Sequence, residues 1–195
     1  MIAALFLSTA LADVGLSAEI GVAPTRGDGH AQFSSASTLP MFGGRASIDL
    51  TPGVALQVAA HHGRHGAWLY DDDGRTVAET ALYATDATLG LQGALPVGDY
   101  LRFTATAAAL GHLALARLDS GDDRDDPVKV ARWGIAPGFR AAGGVEIRIE
   151  ESALPVPITL HLEVGAEHTT RAPLGELGAV RFSGPSGRLG LGLRF

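Results

Sequence analysis

His161 and Glu163 stand two residues apart in an alternating stretch, a spacing that puts an imidazole and a carboxylate on one face of a strand. There they could serve as general acid and base, although a polar pair filling an interior is the simpler reading. A nucleophile to complete such a site is not evident: Ser183 and Ser186 lie near the last strand, and nothing in the sequence ties them to a histidine. Two stretches have metal-binding residue types. The run Asp119-Ser-Gly-Asp122-Asp123-Arg-Asp125-Asp126 holds five carboxylates in eight residues. Hard cations such as Ca²⁺ or Mg²⁺ take such oxygens, and Asp122, Asp123, Asp125 and Asp126 are the weak metal candidates; a solvated acidic loop explains them as well. His61-His62-Gly-Arg-His65 has imidazoles for Zn²⁺ or Cu²⁺, but on one loop with no second cluster it reads first as polar loop. Asp71-Asp72-Asp73-Gly74 reads first as a turn. No catalytic constellation emerges and no cofactor is called for, so the chain is expected not to be an enzyme.

The elements that would carry these residues are short of charge and rich in alternation. Of 195 residues, 46 % are hydrophobic and 18 % charged, with a mean hydropathy of +0.18. No apolar stretch reaches the length of about 18 residues that a spanning helix needs. A net charge of −6 with no basic patch argues against nucleic acid as a partner. Cysteine is absent, which excludes disulfides and thiolate metal sites. Residues 1–12 form an apolar run ending Ala10-Leu11-Ala12, the small-x-small pattern of a signal-peptide cleavage site. They are expected to be a signal-peptide remnant, and residues 13–195 the folded domain.

Within that domain, eight segments alternate with period two. Val14–Val22 sets Val14, Leu16, Ala18, Ile20 and Val22 against Gly15, Ser17, Glu19 and Gly21. Segments follow at Arg45–Leu50, Val54–His61, Thr80–Leu95, Leu101–Arg117, Val130–Ile149, Ile158–Glu167 and Ala179–Phe195. Pro137-Gly138 and Gly143-Gly144 predict bends or bulges in the sixth. Connectors 23–42, 62–78, 118–128 and 168–178 are long and polar, whereas 51–53, 96–99 and 150–157 are shorter. Long and short connectors in strict turn are expected of a membrane barrel with short periplasmic turns and longer external loops.

Three features place the apolar parity outside, against lipid. The polar parity carries charges of both signs: Glu19, Asp49, Asp86, Glu146, Glu163 and Glu167 against Arg45, Arg102, Arg140, Arg148, Arg188 and Arg194. With His161, these form an expected polar network that fills the lumen; in lipid an arginine costs about 2–4 kcal/mol near the midplane. Most segments are also long enough to cross. Aromatic residues gather in two girdles, Trp68, Tyr70, Tyr83, Trp133 and Phe182 toward the long loops and Tyr100, Phe103 and Phe195 toward the short turns. The small residues Gly15, Gly21, Ala136, Gly138, Gly144, Gly190 and Gly192 on the inner parity leave space for water or a narrow passage.

The ending Leu189-x-Leu191-x-Leu193-x-Phe195 resembles the C-terminal signal of bacterial outer-membrane proteins. The eight-segment rhythm is similar to the small barrels of the outer-membrane protein A type. The resemblance implies an all-β, eight-stranded, antiparallel up-and-down transmembrane barrel in the outer membrane of a Gram-negative bacterium. It implies recognition of the last strand by the barrel-assembly machinery, with outer-membrane lipid and lipopolysaccharide as surroundings and a monomeric state. The function expected is structural or surface-interacting. The alternatives are a lipid-modifying enzyme, a soluble secreted barrel of lipocalin type with the apolar parity inward, and a narrow pore.

Overall fold

In a computed structural model, which describes residues 13–27, 37–70, 72–120, 128–149 and 157–195, the alternation becomes a closed barrel of eight antiparallel strands. They are β1 (Val14–Pro24), β2 (Thr38–Thr51), β3 (Val54–Tyr70), β4 (Thr76–Val97), β5 (Leu101–Asp119), β6 (Lys129–Ile149), β7 (Ile158–Thr169) and β10 (Gly184–Arg194). Between the last two lies a small hairpin of β8 (Arg171–Pro173) and β9 (Ala179–Arg181) around a 3-10 turn at Gly175–Leu177. Each barrel strand pairs with the next, and β10 closes the ring on β1, with Leu191 opposite Ala18 and Gly190 opposite Glu19. Closure leaves no sheet edge, which is what hydrocarbon demands of a backbone.

The two faces differ sharply. Leu16, Ile20, Val58, Leu89 and Leu191 point outward and are 50–61 % exposed. Glu19, Asp86, Arg140, Glu163 and Arg188 point inward and are buried. An apolar belt outside and charges inside suit lipid, and they overturn the alternative of a soluble barrel with its apolar parity inward. At one end the turns are tight: residues 52–53 and 98–100 join β2 to β3 and β4 to β5. Gly53 and Gly98 supply the positive φ these turns need, 86° and 72°. The opposite end carries connectors 25–37, 71–75, 120–128 and 170–183.

Strand limits depart from the sequence expectation at that opposite end. β3 to β6 run for 17–22 residues, beyond the roughly 9–11 of a crossing. The expected loop 62–78 is therefore a tall hairpin, paired as far as Tyr70 opposite Thr76, with a register shift beside Tyr70. β2 likewise begins at Thr38, not Arg45. β6 passes through 137–138 and 143–144 without a change of register, so no bulge forms there. Pro137 is tolerated because its carbonyl and nitrogen face the side where β7 leaves the barrel. The carbonyl still accepts a bond from the Thr170 amide at 2.9 Å.

The eighth segment divides. Ala179–Arg181 belongs to the small hairpin, and the barrel strand starts at Gly184, whose φ is +147°. The hairpin folds into the mouth of the barrel. Ala172, Leu174, Val180 and Phe182 are fully buried there, against inward-facing Leu82, Ala84, Ala114, Ala116 and Ala136. The Pro173 carbonyl sits where a side chain on Gly134 would project, so the hairpin backbone lies flat on the inner wall of β6. Paired backbone bonds of 2.8 and 2.7 Å tie Arg26 to Arg181. Phe182 is thus part of an apolar core inside the mouth and not of an outer girdle.

Candidate functional site

Inward positions on five strands meet at one carboxylate. Arg45 on β2 donates to both oxygens of Glu163 on β7 at 3.0 Å. Arg140 on β6 donates at 3.0 Å, Thr106 on β5 at 3.1 Å and Gln92 on β4 at 3.5 Å. Arg45 also pairs with Glu19 on β1. Glu19 lies 2.9 Å from Nε2 of both His61 and His161. Nδ1 of His61 then meets Asp86 at 2.8 Å, and Arg188 donates to Asp86 at 3.1 Å. Glu167 completes the layer, 3.5 Å from Arg140 and 3.6 Å from Arg188. Buried charges of this density are tolerable only when opposite signs meet in good geometry, and here each buried carboxylate faces at least one cation or imidazole.

A second layer lies toward the tight turns. Arg194 pairs with Asp49, with Glu146 at 3.3 Å and with Asp13 at 3.5 Å, and Arg102 stands 3.8 Å from Glu146. Arg148 occupies the same inward parity near that end, half-buried. The inward glycines lie where this side-chain packing comes closest. The His161 ring occupies the place of a Gly190 side chain, Arg188 packs at Gly21, and Glu163 lies 2.9 Å from where a Gly144 side chain would start. Cavities of about 30 and about 20 Å³ remain near Arg45, Gln92 and Arg194, space for about one water each.

His112 was not among the sequence candidates. Fully buried on β5, it stacks on Phe182 with ring centroids 4.1 Å apart and planes 11° apart. Its Nε2 is 3.4 Å from Glu167. It thus joins the charged layer to the hairpin above. The signal for it was the even parity of residues 110–116, where Leu110, His112, Ala114 and Ala116 all face inward and an apolar inner wall requires a cover.

The other candidates separate. His161 bonds to Glu19 and not to Glu163. Ser183 bonds to the Thr169 backbone, and Ser186 is buried beside Arg188; neither bonds to a histidine. His61, His62 and His65 lie in β3, not on a loop, and strand alternation sends His61 inward and His62 outward, so they form no single metal site. Asp119 pairs with Lys129 at 3.5 Å. Asp122, Asp123, Asp125, Asp126 and Asp71 lie outside the described residues, as does the segment 1–12. Among the described residues, no group of three or more His, Asp or Glu gathers to hold a metal. Leu189, Leu191 and Leu193 line the outer face of β10, and Phe195 bonds to Val14 at 2.9 Å.

No family model and no curated protein sequence matches the chain. Solved structures do. Ail, the attachment invasion locus protein of Yersinia pestis, superimposes with a TM-score of 0.55 at 11 % identity, covering 94 % of this chain and 99 % of that one. The same protein in complex with the heparin analogue sucrose octasulfate gives 0.53 at 12 % identity, with 94 % and 99 % covered. The outer-membrane protein OprG from Pseudomonas aeruginosa gives 0.52 at 10 % identity, with 94 % and 96 % covered. The likeness is one of fold, and the fold, with its lipid-facing belt, is that of the small eight-stranded outer-membrane barrels of Gram-negative bacteria.

Proposed function

We propose that this chain is a non-enzymatic outer-membrane barrel that acts through its exposed outer end and passes no solute. The observation that carries the reading is closure at two levels. The Glu163-centred layer joins side chains of five strands across the lumen, and the apolar hairpin packs on Leu82 and Ala114 in the mouth, which supports a closed barrel. An eight-stranded barrel has room for little beyond such side chains. With transport set aside, what the chain offers its surroundings is the rim of connectors and tall hairpins. A surface-interaction role is proposed for that rim in keeping with Ail, a barrel of like fold solved with a heparin analogue.

The remaining assignments follow from the same reading. The lumen histidines and acids bind one another, and the serine beside them, Ser17, donates to Glu19 at 3.2 Å and not to a histidine, which supports a structural role over lipid modification. The outward Leu189, Leu191, Leu193 and terminal Phe195 are proposed as the signal read by the barrel-assembly machinery. Closure without a free edge supports a monomer in outer-membrane lipid and lipopolysaccharide. Liposome swelling tests the closed lumen: proteoliposomes in isotonic arabinose are expected to swell no faster than empty ones. Swelling in proportion to protein added would overturn the reading and favour the narrow pore.

A further inference from the structure

The lipid-facing wall carries charge at one height. Arg64 on β3 and Arg117 on β5 both point outward, and Tyr83 on β4 stands between them. Their guanidinium carbons lie 5.3 and 5.6 Å from the centre of its ring. Arg64 is ten residues along β3 from its first residue Val54. At the rise and tilt of a barrel strand that is roughly 25 Å, the full height of an apolar band. The two arginines therefore stand at headgroup level in the outer leaflet, where a cation on the outer wall costs little.

Neither guanidinium is held in a buried ion pair. Arg64 meets Glu79 at 3.4 Å, but the two side chains are 55 % and 44 % exposed, and pairs so exposed are weak. Arg117 makes no ion pair among the described residues. Arg64 also borders a groove of about 660 Å³ in the outer wall. The groove passes over Gly187, whose outward position has no side chain, between Val22, Val164 and Leu189, with Phe42 beside Arg64.

We propose that Arg64, Tyr83 and Arg117 bind the phosphate headgroup of an outer-leaflet lipid, with one of its acyl chains in the groove over Gly187. The inference rests on the reading that the chain spans the outer membrane. Charge complementarity selects the occupant: two guanidiniums 5.3 and 5.6 Å from one outward aromatic ring gather positive charge at one place on the wall, and phosphate oxygens accept bonds from such groups strongly. The apolar groove beside them suits an acyl chain and does nothing for a free anion.

The test is native mass spectrometry and titration of the detergent-solubilised barrel with diphosphoryl lipid A, the same lipid stripped of its phosphates, and inorganic phosphate. Retention of the folded barrel is checked by its heat-sensitive gel mobility. Diphosphoryl lipid A is expected to bind at least about tenfold more tightly than the stripped lipid, since bonds to a charged group are at stake. The variant R64Q/R117Q should lose that preference. R132Q, which removes an arginine at the same end that pairs with Glu176, should keep it, and inorganic phosphate should not compete at equal concentration. Equal binding of both lipids, an unchanged preference in R64Q/R117Q, or competition by inorganic phosphate would overturn the proposal. A chain that remains in solution without detergent would instead overturn the membrane reading beneath it.

Discussion

Arg45 and Glu163 are 118 residues apart in sequence and sit on strands that are not neighbours, yet they share two parallel hydrogen bonds of 3.0 Å across the lumen. A bidentate pair has a fixed plane as well as a charge. It therefore sets how β2 and β7 face each other through the barrel. Every further contact of Glu163, from Arg140, Thr106 and Gln92, adds a strand to the same anchor.

Removing that anchor leaves Arg45 and Arg140 buried around a missing charge. Glu163→Gln is expected to lower stability by about 3–5 kcal/mol, the cost of breaking a buried pair from one side. Urea unfolding in phospholipid vesicles measures it. Arg45→Gln combined with Glu163→Gln should cost less than the two single changes added together. A loss under about 1 kcal/mol for Glu163→Gln would remove Glu163 from its central position.

The hairpin in the mouth is held by Phe182 stacked on His112 and by Leu174 and Val180 beneath it. Phe182→Ala is expected to release it, because truncating a buried aromatic costs about 3–5 kcal/mol. Trypsin reports the release: cleavage after Arg171 and Arg181 should quicken at least tenfold over the wild type. Unchanged cleavage would mean that the hairpin is fastened elsewhere.

Leu89 lies on the outer belt, 55 % exposed. On a water-facing surface Leu89→Arg would be close to neutral. In lipid it is expected to cost about 2–4 kcal/mol near the midplane. Vesicle unfolding distinguishes the two outcomes directly.

Glycines on the two parities should respond in opposite ways. Gly190→Leu places a side chain where the His161 ring lies, which forces His161 off Glu19. It is expected to abolish the heat-sensitive gel shift of the folded barrel. Gly93→Leu points outward, where the nearest atom is 3.9 Å from the new Cβ, and should fold as the wild type does.

The outer face was legible because lipid imposes an apolar residue at every second position over the whole crossing, from Leu16 and Ile20 on β1 to Leu189 and Leu191 on β10. Beyond the bilayer that demand ends. His62 and Arg64, at the upper edge of the band, read as loop although β3 continues to Tyr70. The parity of the charged residues was also legible, but their partners were not. Which acid meets which base depends on the stagger of eight strands, and no single segment records it. The mouth was hidden for another reason. Between Leu110 and Ala116 both parities are apolar except for His112, which blurs a two-residue period. The cover that explains it, Leu174, Val180 and Phe182, lies in a stretch that reads as an external connector and the start of the last strand.

Single-channel recording in a planar bilayer tests the closed lumen most directly. The wild type is expected to insert without conductance steps, and so is Phe182→Ala, because the layer around Glu163 still fills the barrel when the hairpin is released. Steady, voltage-independent steps from the wild-type protein would contradict the account.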